Sequence, residues 1–72
     1  MNLKEFSELI KSMSGHKDPC LRRGQFMFNT LYRRYPAIAN RIDGTEFDPF
    51  YVDDRIPKFI SYLTEFISNY KD

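Results

Sequence analysis

The sequence predicts an all-α protein: a small compact bundle of three main helices plus one short helix, with an ordered aromatic and acidic loop before the last helix. Two observations favour this fold. Three stretches repeat apolar residues every three or four positions, and capping residues, proline or glycine bound each of them. The connections between the stretches are short, as in helical bundles. Residues 1–72 are therefore expected to form a single domain.

The first helix is predicted to begin after Asn2 and to end near Ser14. Asn2 and Glu5 have the spacing of a capping box, in which each side chain accepts a hydrogen bond from the other residue's backbone N–H. Ser14-Gly15 then interrupts the helical repeat. The apolar residues between these limits are Leu3, Phe6, Leu9, Ile10 and Met13.

The second helix is predicted over residues 19–35. Asp18 is a favourable N-cap residue, and Pro19 suits the first helical position, where no N–H donor is needed. Pro36 ends this helix, because its ring disfavours helical angles at Tyr35 and it lacks an N–H donor of its own.

The C-terminal half combines a short helix, a loop and a longer helix. Pro36 can begin a short helix that extends to Asp43, and Gly44 can close it in the left-handed conformation. Residues 45–52 contain an Asp-Pro pair and no helical period, which predicts an ordered loop. The last helix is predicted to begin at about Asp54. Its apolar residues are Ile56, Phe59, Ile60, Leu63, Phe66, Ile67 and Tyr70.

The apolar stripes of the helices predict the core. On the second helix the stripe comprises Cys20, Leu21, Gly24, Met27, Phe28, Leu31, Tyr32 and Tyr35. A glycine within this stripe is expected to let another helix approach closely. Across the chain, we expect the core to include Leu9, Gly24, Phe28, Leu31, Phe59, Leu63 and Phe66.

The opposite face of the second helix is predicted to be basic. Residues eleven positions apart are separated by about three helical turns, so Arg22 aligns with Arg33, and Arg23 with Arg34. The four arginines would form two columns. Phe26 falls among them and breaks the polar pattern of this face.

Two interpretations of Phe26 are open. In the first, the aromatic loop at 47–51 folds over the second helix and buries Phe26, while Asp48 or Asp53 meets an arginine. In the second, Phe26 is an exposed recognition residue within a basic patch.

The composition argues against several kinds of site. With one Cys and one His, the chain can form neither an internal disulfide nor a zinc site of the usual Cys and His type. His16 and Cys20 are four residues apart, but the connector offers no oxyanion donor and Cys20 falls in the apolar stripe, so we expect a buried structural cysteine and no enzyme. The acidic residues at 43–54 lack the spacing of a calcium loop, and we expect neither metal nor cofactor.

Length and charge bear on the partner. A single core in a chain this short contributes roughly 3–5 kcal/mol of net stability, so a second chain that covers apolar surface, self-association included, is an open possibility. Residues 1–36 carry seven Lys and Arg against three Asp and Glu, whereas residues 37–72 carry four Lys and Arg against seven Asp and Glu.

The short apolar runs, with no signal or lipidation motif, predict a cytoplasmic protein that does not enter membranes.

The chain contains two motifs, L-R-x-G-Q-x-x-F-N-x-L, beginning at Leu21, and G-T-x-x-D-P-F-Y, beginning at Gly44. They resemble motifs of a family of short uncharacterised proteins from bacteria and their phages. With the run Arg55-Ile56-Pro57-Lys58-Phe59, the resemblance extends from about Leu21 to Leu63. It implies an accessory protein of a phage or mobile element, and it brings no activity, cofactor or catalytic residue with it.

These observations predict a non-enzymatic, helical protein-interaction protein that binds a host or phage protein or a copy of itself. The alternative is a small nucleic-acid-binding protein, because arginines interleaved with Gln, Asn and Thr on one helix face suit phosphate groups. The residues expected to bind the partner are Arg22, Arg23, Phe26, Asn29, Arg33, Arg34, Asp48, Phe50 and Tyr51.

Overall fold

The computed structural model describes residues 1–67, and within them the chain is all-α, as predicted. Its α-helices are α1 (Leu3–Met13), α2 (Arg23–Arg34), α3 (Pro36–Ile42) and α4 (Ile56–Leu63). Two 3₁₀ turns, Asp53–Arg55 and Thr64–Phe66, flank α4. No helix in the described part of the chain is both long enough and apolar enough to cross a membrane.

The local signals around α1 and α3 are confirmed. The Glu5 backbone N–H donates to Asn2 Oδ1, and the Asn2 N–H donates to Glu5 Oε1, both at 2.8 Å, which completes the predicted capping box. Pro36 begins α3, and Gly44 follows it with a φ of 78°, the left-handed conformation that glycine adopts without a steric penalty. Residues 45–52 contain neither helix nor strand.

The predicted start of the second helix is wrong by four residues, because α2 begins at Arg23 and not at Pro19. The Asp18 carboxylate accepts a hydrogen bond from the Cys20 N–H at 2.8 Å, and the Leu21 N–H donates to the Asp18 carbonyl at 3.0 Å. These bonds form a turn in place of a helical cap. Cys20 is consequently exposed, which corrects the expectation of a buried structural cysteine.

The predicted last helix is shorter than its apolar repeat. It is regular only to Leu63, continues as the Thr64–Phe66 turn, and reaches extended backbone at Ile67. The Thr64 hydroxyl donates to the Ser61 carbonyl at 2.7 Å, a local bond that competes with the helical pattern. Tyr70 lies outside the described residues.

The core lies where α1, α2, α3 and α4 meet. Of the predicted core residues, Leu9, Gly24, Phe28, Leu31, Phe59 and Leu63 are buried. Phe66 is only half-buried, since it lies in the turn after α4, where its ring faces Tyr62 and the Arg41 guanidinium. The core also contains Met13, Met27, Ala39 and Ile42.

α1 and α2 run antiparallel. The end of α1 meets the start of α2, where Arg23 bonds to the Met13 carbonyl, and the start of α1 lies near Tyr35 at the other end of α2. Burial raises the pKa of the Tyr35 phenol above its usual range, the nearby Glu5 and Glu8 carboxylates raise it further, and Arg34 opposes them. The phenol is therefore neutral over the physiological pH range.

Candidate interaction surface

The aromatic loop docks on the N-terminal half of α2, as the first interpretation of the sequence expected. The Phe50 ring packs edge-on against the Phe28 ring, with centroids 5.8 Å apart. Pro49 is buried against Gly24, so closely that a Cβ on residue 24 would collide with the Pro49 carbonyl oxygen. Glycine at this position therefore lets the loop backbone contact the helix backbone, and the expectation that another helix approaches Gly24 is wrong.

Asp53 caps the start of α2 from a distant part of the chain. The Gly24 N–H donates to Asp53 Oδ1 at 3.0 Å, which satisfies one of the free donors at the helix N-terminus. The same carboxylate lies 3.9 Å from Arg22 Nε, and the Arg22 guanidinium also donates to the Phe50 carbonyl. An acidic residue thus meets an arginine, as expected, and it is Asp53.

Asp48 is buried beneath the loop, with 1% of its surface exposed. Its two carboxylate oxygens accept hydrogen bonds from the Gly44 N–H and the Phe50 N–H, both at 2.9 Å. Asp48 therefore holds the loop closed on itself and is not available to a partner.

The expectation that the loop covers Phe26 is wrong, because the ring it covers is Phe28. On a helix, Phe26 lies about 160° around the axis from both Gly24 and Phe28, the two residues that the loop contacts. Phe26 is half-buried on another side of α2, with the Arg23 guanidinium carbon 5.8 Å from its ring centroid. It is neither a core residue nor a freely exposed recognition residue.

The four arginines do not form one surface. Arg23 donates to the Met13 and Gly15 carbonyls at 3.0 and 2.9 Å, and it therefore caps the C-terminal end of α1. Arg22 is held by Asp53 and Phe50. Arg33 and Arg34 are exposed, and within residues 1–67 neither side chain makes a hydrogen bond or an ion pair.

A continuous row of aromatic rings crosses the loop and α2. The ring centroids of Tyr32 and Phe28 are 6.4 Å apart. Phe50 contacts Phe28 on one side and Tyr51 on the other, and the ring centroids of Phe50 and Tyr51 are 4.8 Å apart. In the middle of the row Phe28 is buried and Phe50 is half-buried, whereas at its two ends Tyr32 is 50% exposed and Tyr51 is 72% exposed. Val52, 40% exposed, adjoins Tyr51. We call this set the aromatic surface: Tyr32, Phe28, Phe50, Tyr51 and Val52.

The sequence indicated part of this surface. Phe50 and Tyr51 were expected to bind a partner, and Asn29 is half-buried on α2, between Tyr32 and Arg33 around the helix. Tyr32 was expected in the core stripe, but it lies at the edge of that stripe and is half-exposed. For Tyr32, the position at the edge of the apolar stripe was the one feature of the sequence that indicated exposure.

The described residues carry little that resembles a catalytic or metal site. Cys20 and His16 are both exposed in the connector before α2. Among residues 1–67, no three His, Cys, Asp or Glu side chains lie close enough together to hold a metal ion. A groove of about 390 Å³ between α1, α2 and α4 is mainly apolar, and its one charged residue, Arg23, is already bonded to α1.

Comparisons with protein-family models, curated proteins and solved structures found no match for this chain.

Proposed function

We propose that this protein is a non-enzymatic protein-interaction module and that the aromatic surface binds its protein partner. The observation that carries the proposal is the row of four rings with Tyr32 and Tyr51 open to solvent at its two ends. Tyrosine buries a large apolar area and keeps a hydroxyl for hydrogen bonding, and for this reason it is enriched in protein interfaces.

Contacts within the chain also hold the aromatic surface in place. Phe50 is fixed by Phe28, by the Arg22 guanidinium on its carbonyl and by the Asp48 carboxylate on its N–H. The neighbouring Tyr51 is thereby carried on an ordered loop, and a partner binding to it would lose little entropy in ordering the backbone. Arg22 and the polar edge at Asn29 supply hydrogen-bonding groups around the rings.

A protein partner fits these contacts better than a nucleic acid does. Of the four arginines, only Arg33 and Arg34 have side chains without a bond within residues 1–67, whereas Arg23 bonds to α1 and Arg22 to the loop. The motif resemblance supports a further part of the proposal, that the protein is an accessory product of a phage or mobile element.

Site-specific photo-crosslinking tests the proposal. A benzoylphenylalanine in place of Tyr51 should form covalent adducts with a protein in a lysate of the cells that produce this chain, and nuclease treatment should leave the adducts unchanged. Adding Tyr32→Ala to the same chain should lower their yield, because the two tyrosines lie at the ends of one row. Leu3 on α1 is 55% exposed and is the matched control position for the crosslinker.

Two results would contradict the proposal. Identical adducts from positions 51 and 3 would show that exposure alone, and not this surface, determines the crosslinks. Adducts that form at position 51 and disappear after nuclease treatment would favour nucleic-acid binding instead.

A further inference from the structure

We infer that the groove between α1, α2 and α4 is a second docking site, and that its occupant is an amphipathic helix of a partner protein with an aspartate or glutamate beside its apolar residues. This site is independent of the proposed function, which concerns the aromatic surface. On α2, Met27 and Arg23 line the groove. They lie about 100° and 140° around the helix axis from Phe28, on the side away from Tyr32.

The groove is mainly apolar and is built from three helices. Met13 and Met27 are buried there, whereas the isoleucines that line it pack against the core and remain partly exposed. The lining residues recur at the spacing of three or four that places side chains on one face of a helix. They are Ile10 and Met13 on α1, Arg23 and Met27 on α2, and Ile56 and Ile60 on α4. Rows of side chains at this spacing form the ridges between which another helix packs.

Arg23 is the one charged residue that lines the groove in the described part of the chain. Its Nη1 donates to the Met13 and Gly15 carbonyls at 3.0 and 2.9 Å, which fixes the guanidinium at the end of α1. Its Nε and Nη2 make no hydrogen bond within residues 1–67. This edge of a guanidinium carries the two parallel donors that a carboxylate accepts.

The positive charge of Arg23 is not balanced by its surroundings. No carboxylate of residues 1–67 lies within 4 Å of its guanidinium, and the C-terminal end of a helix offsets only about half an elementary charge. The other charged side chains of the neighbouring segments sum to zero: Glu8 and Lys11 on α1, Lys17 and Asp18 in the connector, and Arg22, Asp53, Asp54 and Arg55 at the starts of α2 and α4. A helix that fills this groove therefore needs a carboxylate at the edge of its apolar face.

Selection from a peptide library tests the occupant. The wild-type chain selects from phage-displayed, alanine-based helical peptides of about 16 residues that are randomised along one face. Peptides that enter the groove should bind the Ile60→Ala variant about fivefold or more weakly, because it removes apolar area from the groove. They should bind the Tyr51→Ala control like the wild type, since Tyr51 belongs to the aromatic surface. Such peptides should be enriched, and they should combine aliphatic residues with Asp or Glu.

A double-mutant cycle tests the pairing with Arg23. Replacing the selected acidic residue of a synthetic peptide by its amide should weaken binding to the wild-type chain about two- to fivefold, as for a partly exposed ion pair. The Arg23→Gln chain should bind the acid and the amide peptides equally. Fluorescence anisotropy measures the four binding constants. Circular dichroism melts identify a variant that fails to fold, and the comparison of the two peptides on the wild-type chain needs no variant.

The inference is overturned if no enriched peptide depends on Ile60, if the groove-dependent peptides are basic or lack an acidic residue, or if the wild-type chain binds acid and amide peptides equally. Peptides that lose affinity only for the Tyr51→Ala chain would also overturn it and would support the aromatic surface alone. A wild-type chain that dimerises in sedimentation velocity, and that Ile60→Ala renders monomeric, would assign the groove to a second copy instead.

Discussion

The two ends of α2 carry the same pair of residues in different surroundings. At the N-terminal end, Arg22 bonds to the loop and Arg23 to the last carbonyls of α1. At the C-terminal end, Arg33 and Arg34 are exposed and form no ion pair within residues 1–67. The first pair joins three segments of the chain, whereas the second lies open to solvent.

This difference shows that the segments packed against each end of α2 determine which bonds its arginines form. The start of α2 lacks a side-chain cap of its own, and its free donors attract the Asp53 carboxylate from the 3₁₀ turn before α4. The loop can follow only because Gly24 leaves room for Pro49. The C-terminal end has no such requirement, since arginines in the last turn already complement the helix dipole.

The largest expected effect separates the core side of α2 from the aromatic surface. Leu31→Ala should lower the free energy of unfolding by about 2–5 kcal/mol, because it leaves a cavity at a fully buried position. Tyr32→Ala, one residue further along the helix and half-exposed, should cost about 1 kcal/mol or less. Urea titrations followed by circular dichroism measure both. Equal losses for the two variants would mean that the surface is part of the core.

A smaller effect is expected from the contact between α2 and the loop. Gly24→Ala should destabilise by about 1–3 kcal/mol, because the new Cβ would collide with the Pro49 carbonyl and come within 2.9 Å of Asp53 Oδ1. The comparison is Gly15→Ala, whose Cβ would lie 3.5 Å from its nearest neighbour, the Ser12 carbonyl oxygen. The free energy of unfolding of that variant should be within about 0.5 kcal/mol of the wild-type value.

If Gly24→Ala instead raised the melting temperature, the gain in helix propensity would exceed the steric cost. The loop would then have to sit further from α2 than the Pro49 contact indicates.

The sequence predicted the features that depend on nearby residues. The capping box at Asn2 and Glu5 and the left-handed Gly44 are both confirmed, because each depends on residues within a few positions. The start of α2 could not be predicted in this way. Asp18 has the composition of a cap but forms a local turn, and the residue that caps α2 is Asp53, 29 positions away from Gly24.

The same limit applies to the candidate site. The composition of the loop indicated that Phe50 and Tyr51 belong to the site. It did not indicate which aromatic ring of α2 the loop would cover, because that depends on the contact between Pro49 and Gly24. This contact selects Phe28 rather than Phe26. Tyr32 belongs to the surface because its ring contacts Phe28 and is half-exposed.

A third test compares the two arginine pairs directly. Arg23→Ala should destabilise by about 0.5–1.5 kcal/mol, since it removes two hydrogen bonds to the end of α1. Arg33→Ala should change stability by no more than about 0.5 kcal/mol, because the side chain makes no bond within the described residues. Thermal melts of both variants in the same buffer provide the measurement. A larger loss from Arg33→Ala would show that the C-terminal pair also holds the fold together.

The smallest effect is expected for binding to nucleic acid. The salt dependence of the binding constant measures how many arginines contact phosphate groups. The logarithm of the binding constant for a DNA duplex falls with the logarithm of salt concentration by about 0.9 for each phosphate neutralised. If only Arg33 and Arg34 are free, raising the salt from about 50 to 200 mM should weaken any binding roughly tenfold, whereas four contacting arginines would weaken it roughly 150-fold. Fluorescence anisotropy with a labelled duplex measures this slope, and replacing Arg33 and Arg34 by glutamate should abolish the binding. A slope near the four-arginine value would mean that Arg22 and Arg23 leave the loop and α1 to reach the phosphates, and the contrast between the two ends of α2 would then hold only in the absence of nucleic acid.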